Sequence, residues 1–303
     1  MDIHNIGIVG YGEVGKVFAA GLIGAAEVQG LHAWDLKFAD DAARPPELAH
    51  ARDLGVRAQV SMQALCAQAD LVISAVTASN TLAVAQEAAQ FVRPGSIFLD
   101  LNSASPGTKQ AAARAIDAAG AHYVEAGVMT SVPPYGIKVP MVLGGERAEA
   151  LAGVLTGWGM DARHVSDRLG VASAIKMCRS VMIKGLEALV IESYTTARKY
   201  GVEDHLLPTL AETFPSIDWP RQGAYFFSRV VQHGKRRAEE MREAANTVRE
   251  AGFEPVMTAA IAGKQQWVSD RAREGVFAGL PTDARWQDYA DRLIAANDPS
   301  AAN

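Results

Sequence analysis

The chain has 303 residues, of which 49% are hydrophobic and 21% charged, a composition typical of globular proteins and too apolar for an intrinsically disordered chain. Its length allows about two domains of ordinary size. The 29 basic and 34 acidic residues give a net charge of −5, which argues against nucleic acid or an anionic membrane as a general partner.

The cysteines and the N-terminus bear on the cellular compartment. Cys66 and Cys178 are the two cysteines, and their spacing is not that of metal ligands, so we predict reduced thiols and no metal site. The first residues lack the features of a signal peptide. No apolar run approaches the roughly 20 residues that span a bilayer. We therefore expect a cytoplasmic protein.

The first half of the chain has the pattern of an α/β domain. Short β-branched runs alternate with longer segments of helical periodicity from residue 3 to about residue 165, which is typical of parallel sheets. Strands are predicted at 3–9, 31–35, 71–75, 96–100, 122–124 and 139–143. Helices are predicted at 13–24, 80–91 and 106–119, where apolar residues recur at helical spacing. The first predicted domain covers residues 1–166.

The second half, residues 167–303, is predicted to be an all-α domain. The segment 170–200 is apolar around most of its circumference and lacks proline, so we predict one long buried helix that joins the two domains. Proline is expected to break the segment that follows into short pieces, at Pro208, Pro215 and Pro220. Further helices are predicted at 222–251, 255–272 and 283–296, and the tail after Asn297 is expected to fray.

A glycine-rich motif follows the first predicted strand. In IGIVGYGEVGKVFAAGL, Gly10, Gly12 and Gly15 form a G-x-G-x-x-G pattern between a strand and an amphipathic helix. The first glycine permits a tight turn, the second lets the backbone approach a pyrophosphate, and the third allows close packing of helix on strand. The helix N-terminus offers N–H groups to the phosphates. The motif predicts a Rossmann-type dinucleotide site whose loop residues are Gly10, Tyr11, Gly12, Glu13, Val14 and Gly15.

An acidic residue at the end of the second strand bears on which dinucleotide is bound. Asp35 closes the run LHAWD, twenty residues after Gly15. A carboxylate there accepts hydrogen bonds from the adenosine ribose hydroxyls and repels a 2′-phosphate. We therefore predict NAD, with NADP as the alternative because Lys37 and Arg44 lie nearby. A chance glycine-rich turn is the competing interpretation of the motif, and Asp35 weakens it.

Four segments in order resemble the β-hydroxyacid dehydrogenase superfamily, which includes 3-hydroxyisobutyrate and 6-phosphogluconate dehydrogenases. They are IGIVGYGEVG, DLVISAVTAS, FLDLNSASPGT and GVASAIKMCRS. The C-terminal segments HGKRRAEEM and GFEPVMTAA are similar to a less characterised branch with its own helical domain. The resemblance implies a Rossmann-type domain followed by an all-α domain on a long interdomain helix, and a nicotinamide-dependent activity.

The resemblance implies that Lys176 is the catalytic acid or base at the substrate hydroxyl. An ammonium in an apolar helix loses solvation and can then exchange a proton near neutral pH. The alternative is a lysine whose stem is buried while its head reaches water. One turn further along the helix, where the family carries asparagine, this chain has Ser180, which is predicted to contact the substrate.

Two loops after strands are implied to meet the ligands. Asn102 and Ser103 occupy the place where the family's Asp-x-Ser-Thr pattern meets substrate and nicotinamide, and ligands of open α/β sheets bind beyond the carboxyl ends of strands. Capping of the next helix is the competing role for this stretch, and we assign it to Ser105. Val76 and Thr77 are implied to line the nicotinamide ribose.

The family's Ser-Gly-Gly turn, whose N–H groups grip a substrate carboxylate, is replaced here by Met129, Thr130 and Ser131, followed by Val132, Pro133 and Pro134. Prolines have no N–H to donate, so the hydroxyls of Thr130 and Ser131 are predicted to take over part of the task. Because the loop has fewer N–H donors, we expect a substrate that is bulkier or less acidic than a simple hydroxy acid.

A basic run begins at His233 and includes Arg236. Such a cluster beside glutamates is typical of a solvated helix face. The functional alternative is that His233 or Arg236 binds a substrate anion across a dimer interface.

Together these features predict an NAD-dependent oxidoreductase that moves a hydride between nicotinamide and a small hydroxy acid or related carbonyl compound, with decarboxylation as a further step. An imine reductase-like enzyme and a non-catalytic dinucleotide-binding protein are the alternatives. By analogy with relatives, a homodimer or homotetramer is expected.

Overall fold

The computed structural model describes residues 1–25 and 27–297. The chain divides into two compact units, Met1–Cys178 and Arg179–Asn303. The division falls inside the long helix, whereas the boundary predicted from the sequence lies before it, at residue 166. The frayed tail expected after Asn297 lies outside the described residues.

The first unit is built on an eight-stranded sheet of order β3-β2-β1-β4-β5-β6-β7-β8. The strands are β1 (Asn5–Val9), β2 (Gly30–Trp34), β3 (Arg57–Ala58), β4 (Leu71–Ser74), β5 (Ile97–Asp100), β6 (His122–Val128), β7 (Met141–Gly144) and β8 (Ala162–Ser166). Six of them match the predicted strands. The short β3 and the half-exposed β8 were missed, because neither is a clear apolar run.

Two strands, β7 and β8, run against the other six. β6 pairs with β7 antiparallel, while every other pair is parallel. A loop between residues 129 and 140 joins β6 to β7, and it is closed by a hydrogen bond from the Met129 N–H to the Pro140 carbonyl. A direct return of this kind forces antiparallel pairing, whereas parallel strands need a longer crossover. The predicted parallel sheet is therefore mixed at this edge.

Helices cover both faces of the sheet. They are α1 (Glu13–Leu22), α2 (Arg44–Asp53), α3 (Met62–Gln68), α4 (Thr81–Ala88), α5 (Pro106–Ala118) and α6 (Ala148–Gly157). The side chains of α1, α2 and α6 bury against one face of the sheet, and those of α3, α4 and α5 against the other. The predicted Rossmann-type α/β domain is confirmed, although α2, α3 and α6 were not predicted.

The helix α7 (Val171–Tyr200) spans the division between the units. It matches the long helix predicted over 170–200, and most of it, residues 179–200, belongs to the second unit. Not all of its apolar residues are buried, since Met182 is 73% and Leu189 is 56% exposed. The expected burial around most of the circumference is therefore wrong at these positions.

The second unit is all-α, as predicted. It contains α8 (Glu203–Thr213), α9 (Trp219–Glu250), α10 (Val256–Arg273) and α11 (Trp286–Ala296). Pro208 lies inside α8, so the break expected there is wrong. Pro220, by contrast, stands in the first turn of α9, where a missing N–H costs nothing. Aromatic residues dominate this core, among them Tyr194, Phe227 and Trp286.

Among the helices of residues 1–25 and 27–297, none combines the length and the apolar character that a membrane crossing requires.

Candidate cofactor site and active site

The glycine motif forms the turn between β1 and α1. Gly10 has a positive φ of 92°, which favours glycine, and a Cβ there would lie 2.5 Å from the Ala75 carbonyl oxygen. A Cβ on Gly15 would lie 2.0 Å from the Gly10 carbonyl oxygen, so only glycine allows this approach of helix to turn. A Cβ on Gly12 would meet no atom of the described residues within 4 Å. The backbone at Gly12 is therefore open to a ligand.

Asp35 follows β2 and holds the same turn. Its Oδ2 accepts the N–H of Tyr11 at 2.7 Å, and its Oδ1 accepts the N–H of Lys37 at 2.9 Å. The Tyr11 N–H is thus bonded to Asp35. Each carboxylate oxygen has a second lone pair, so Asp35 retains acceptor capacity for ribose hydroxyls.

The basic residues near Asp35 are paired with carboxylates. Glu47 of α2 contacts Lys16 at 2.7 Å and Lys37 at 3.4 Å. Burial alone would raise the pKa of Glu47, but the hydrogen bonds and charges of these lysines outweigh it and hold the pKa below its usual value. Arg44 pairs with Asp41 at 3.1 Å. Both cations that could favour a 2′-phosphate therefore have acidic partners.

Tyr11 is fully buried beneath the turn, and its hydroxyl bonds to Nδ1 of His50 at 3.1 Å. Burial, together with the charge of Glu47, raises the pKa of Tyr11 to about 12. Its side chain packs in the core rather than facing a ligand, so any contact with a dinucleotide would come from its backbone. Of the other predicted loop residues, Glu13 is exposed and Val14 is half-buried.

Asn102 lies just after β5 and links that strand end to the end of β4. Its Oδ1 accepts the N–H of Val76 at 2.7 Å, and its Nδ2 donates to Oγ of Ser74 at 3.0 Å. The side chain is 4% exposed. Ser103, the next residue, is half-buried, and Thr77 is exposed. Asn102 thus brings the two predicted nicotinamide loops together, and contact of its side chain with a substrate stays a prediction.

Ser105 caps α5, as predicted, since its hydroxyl accepts the N–H of Thr108 at 3.2 Å.

A buried charged network supports the Asn102 loop. Lys109 of α5 and Asp100 of β5 are both inaccessible and are joined at 2.9 Å. Asp100 also accepts the N–H of Asn102 at 2.8 Å and the hydroxyl of Tyr123 at 2.5 Å. Burial and the charge of Asp100 raise the pKa of Tyr123 well above its usual value. This network was not predicted from the sequence, although Lys109 shares the apolar face of α5 with Ala112 and Ile116, an unusual place for a charge.

Thr130 and Ser131 stand at the start of the loop that joins β6 to β7. Thr130 is exposed and Ser131 is half-buried. The loop tightens at Val132, whose carbonyl accepts the N–H groups of Tyr135 and Gly136. Thr130 and Ser131 lie at the carboxyl end of β6, the same edge of the sheet as the Asn102 loop.

Lys176 lies in the second turn of α7 and belongs to the first unit. Its side chain is half-buried. Gly127 of β6 underlies it, because a Cβ on Gly127 would lie 3.3 Å from the Cβ of Lys176 and 2.9 Å from the Ala172 carbonyl oxygen. The Cβ of Lys176 therefore lies beside the carboxyl end of β6, at the edge of the sheet that carries the dinucleotide turn and the Asn102 loop.

The remaining predicted residues lie in the second unit. Ser180 is 5% exposed and accepts a hydrogen bond from Nζ of Lys184 at 3.3 Å. Lys184 also pairs with Glu240 at 2.8 Å. His233 and Arg236 are half-buried on α9. Their contact with a substrate stays a prediction.

The turn at Gly10–Gly15 fits a dinucleotide. Gly12 leaves space that a Cβ would fill, α1 begins directly after it, and Asp35 stands at the end of the neighbouring strand. A helix N-terminus stabilises phosphate charge.

Comparisons with known proteins agree with this geometry. Residues 5–150 match the NAD binding domain of 6-phosphogluconate dehydrogenase, and residues 197–268 match a domain of unknown function (DUF1932). An uncharacterised 28.5 kDa protein of Methanothermus fervidus is 30% identical over 260 residues, which cover 84% of this chain and 94% of that protein.

Two solved structures are similar over most of their length. A conserved hypothetical protein from Sinorhizobium meliloti is 38% identical to this chain, with a TM-score of 0.76. The match covers 97% of this chain and 96% of that chain. A conserved protein of unknown function, described as similar in structure to 3-hydroxyacid dehydrogenases, is 29% identical, with a TM-score of 0.68, 89% of this chain and 98% of that chain covered. The chain belongs to the β-hydroxyacid dehydrogenase-like superfamily.

More distant structures share the fold of this superfamily. Mycobacterium tuberculosis 3-hydroxyisobutyrate dehydrogenase with L-serine is 17% identical at a TM-score of 0.68, covering 96% of this chain and 99% of that chain. An imine reductase from Myxococcus stipitatus with NADP⁺ is 18% identical at a TM-score of 0.54, with the same coverage. The first unit is an NAD(P)-binding domain, and the superfamily is one of NAD(P)-dependent dehydrogenases and reductases.

Proposed function

We propose that this protein transfers a hydride between NAD and a small hydroxy acid or a related alcohol or carbonyl compound. The observation that carries the proposal is the position of Lys176 in the first unit, beside Gly127 at the carboxyl end of β6. The dinucleotide turn and the Asn102 loop follow strands of the same sheet. An amine and a nicotinamide site at one sheet edge suit a reaction that removes a hydride and a proton from one alcohol.

The nicotinamide, when bound, supplies the hydride acceptor or donor. Lys176 takes the hydroxyl proton as the carbonyl forms, and it returns that proton in the reverse direction. Asn102 holds the backbone of Val76, so the loop that is assigned to the nicotinamide ribose keeps its shape. Ser103 and Thr77 are assigned to substrate and ribose contacts.

The substrate side of the proposal rests on the loop after β6. Thr130 and Ser131 provide hydroxyl donors, while Pro133 and Pro134, both exposed, provide no N–H groups. A substrate less acidic or bulkier than a simple hydroxy acid suits such a loop. Ser180, His233 and Arg236 are proposed to contribute further polar contacts. A β-hydroxy acid would give a β-keto acid, which can lose carbon dioxide.

NAD is proposed as the preferred dinucleotide. Asp35 directs a carboxylate to the turn, and the nearby Lys37 and Arg44 pair with Glu47 and Asp41. These pairs are largely exposed and therefore weak. Even so, Lys37 and Arg44 already face carboxylates, which makes them less available to bind a 2′-phosphate.

Self-association is proposed as well. The apolar residues exposed on α7 include Met182, Ile183 and Leu189, and exposed apolar clusters of this kind mark interaction surfaces. Light scattering after size-exclusion chromatography, on the full chain, tests this point. A monomer at micromolar concentration would contradict it.

Lys176→Met tests the proposed activity. NADH and NADPH binding is followed by fluorescence, and turnover is measured with a panel of hydroxy and keto acids that begins with 3-hydroxyisobutyrate and L-serine. We expect Lys176→Met to lower kcat by about 100-fold or more and to leave NADH affinity nearly unchanged. Lys199→Met, an exposed lysine on the same helix, is the control. If Lys176→Met retained turnover, Lys176 would not be the proton-transfer residue. If the wild type bound neither dinucleotide, the proposed hydride transfer would be contradicted.

A further inference from the structure

Glu125 is a charged residue buried in the middle of the first unit. It lies on β6, and its side chain is completely inaccessible. Its Oε1 accepts two backbone N–H groups, those of Gly170 at 2.8 Å and Ala172 at 3.0 Å. These groups stand where the chain enters α7, and the first N–H groups of a helix have no partner within the helix. A carboxylate is also favoured there by the helix dipole.

The surrounding backbone makes room for this contact. Gly144 of β7 pairs with Glu125 across the sheet, and a Cβ on Gly144 would lie 2.6 Å from Oε1 of Glu125. Gly170 enters the helix with a φ of +101°, a conformation that other residues rarely adopt. The seat of the carboxylate therefore depends on two glycines that are far apart in sequence.

Gly127 extends the same seat toward Lys176. Residues two apart on a strand face the same side of the sheet, so Gly127 shares the side of Glu125. A Cβ on Gly127 would lie 2.9 Å from the carbonyl oxygen of Ala172 and 3.3 Å from the Cβ of Lys176. Glu125 thus holds the start of α7 while Gly127 lets the next turn lie directly on β6.

We propose that Glu125 is a positioning residue for Lys176. By binding the first turn of α7 through two N–H groups, it fixes the distance of the lysine from the carboxyl edge of the sheet. The inference rests on the proposed role of Lys176 in proton transfer. A shift of about 1 Å in a catalytic group can cost 10²-fold in rate, so a loosened first turn lowers kcat without altering the dinucleotide turn.

Three variants test the proposal in the full-length protein. Glu125→Ala removes the oxygen that accepts both N–H groups, Glu125→Gln keeps a neutral oxygen that can accept them, and Asp117→Ala is the control. Asp117 also accepts a backbone N–H in this unit, that of Tyr123, and no hydrogen bond or ion pair among the described residues joins it to α7. Activity is measured with 3-hydroxyisobutyrate or the most active acid of the panel, and hydrogen exchange is followed at the amides of Gly170 and Ala172.

We expect Glu125→Ala to accelerate exchange at these two amides, to lower kcat by roughly 10²-fold and to leave NADH affinity unchanged. Glu125→Gln is expected to restore most of kcat, and Asp117→Ala to leave it near that of the wild type. Equal exchange in Glu125→Ala and the wild type would overturn the proposal, whichever residue carries out the proton transfer. Faster exchange with unchanged kcat, while Lys176→Met is inactive, would also overturn it.

Gly127→Ala provides a second route if Glu125→Ala does not fold. The added methyl group must displace the Ala172 carbonyl, and with it the turn that carries Lys176. We expect a fall in kcat with unchanged NADH affinity. A kcat equal to that of the wild type would contradict the claim that the close contact of α7 with β6 at Gly127 positions Lys176. Activity of Lys176→Met would instead refute the proposed function, and exchange at Gly170 and Ala172 would still report whether Glu125 holds the helix.

Discussion

The side-chain oxygen of Asn102 accepts the backbone N–H of Val76 at 2.7 Å and so joins the end of β5 to the end of β4. The amide nitrogen of the same side chain donates to Ser74. Because Asn102 is buried, water cannot replace these bonds at low cost. The two loops assigned to the nicotinamide end of the cofactor are therefore held together by one side chain.

Asn102→Ala is expected to destabilise the protein and weaken the cofactor site together. The substitution leaves the Val76 N–H without its acceptor, which costs about 1–3 kcal/mol. Urea denaturation measures the loss, and fluorescence titration with NADH measures the accompanying fall in affinity. Asn80→Ala is the control, since exposed Asn80 donates a side-chain hydrogen bond to Thr77 in the β4 loop. Equal urea midpoints for Asn102→Ala and Asn80→Ala would contradict the proposal that Asn102 holds the two loops together.

Features that depend on local pattern could be predicted from the sequence. The Gly10–Gly15 turn, the six strands other than β3 and β8, and the helix over 171–200 follow from glycine spacing and apolar periodicity. The direction of β7 did not, because it depends on a loop that returns directly from β6. Pro208 also misled, because it removes an intrahelical hydrogen bond inside α8 and yet the helix continues to Thr213.

The buried charges could not be predicted with the same methods. Asp100, Lys109 and Glu125 lie in segments that otherwise have the pattern of core elements, and each finds its partner at a distance in the chain. Propensity and periodicity describe one segment at a time, so they cannot pair Glu125 with Gly170, which lies 45 residues later at the entry to α7. A charge on a predicted apolar face was the available signal.

Gly12 and Gly15 should respond differently to the same substitution. Gly12→Ala is expected to leave stability within about 1 kcal/mol, because the new Cβ meets no atom of the described residues, and to weaken NADH binding by about tenfold or more. Gly15→Ala is expected to destabilise the fold by about 1–3 kcal/mol, since its Cβ collides with the Gly10 carbonyl. Urea denaturation and NADH titration on both variants separate the effects. Undiminished NADH affinity of Gly12→Ala would place the dinucleotide elsewhere.

Asp35→Asn is expected to shift dinucleotide preference toward NADPH. The amide oxygen retains one acceptor for the turn, while the negative charge that repels a 2′-phosphate is lost. We expect the ratio of the NADPH Kd to the NADH Kd to fall by roughly tenfold, which corresponds to about 1.4 kcal/mol. Asp53→Asn, an exposed carboxylate of the same unit, controls for net charge. An unchanged ratio in Asp35→Asn would mean that Asp35 does not contact the ribose.

Asp70 is expected to make the stability of the first unit depend on pH. Burial alone would raise its pKa, but the N–H groups of Asn5 and His4 and the guanidinium of Arg93 outweigh burial and lower the pKa below its usual 3.8. A carboxyl whose pKa is lower in the folded state stabilises that state above the unfolded value and loses this contribution as pH falls through the folded pKa.

Asp70→Asn should therefore be less stable than the wild type at pH 7, and the difference should shrink as the pH falls below about 4. The variant keeps an acceptor for the N–H groups of β1 but loses its charge toward Arg93. Urea midpoints between pH 7 and pH 2.5 measure the effect. Asp53→Asn is the control, because Asp53 is exposed and contacts only its neighbour Arg52 among the ion pairs of the described residues. A constant difference between Asp70→Asn and the wild type across this range would show that the ionisation of Asp70 is not coupled to folding.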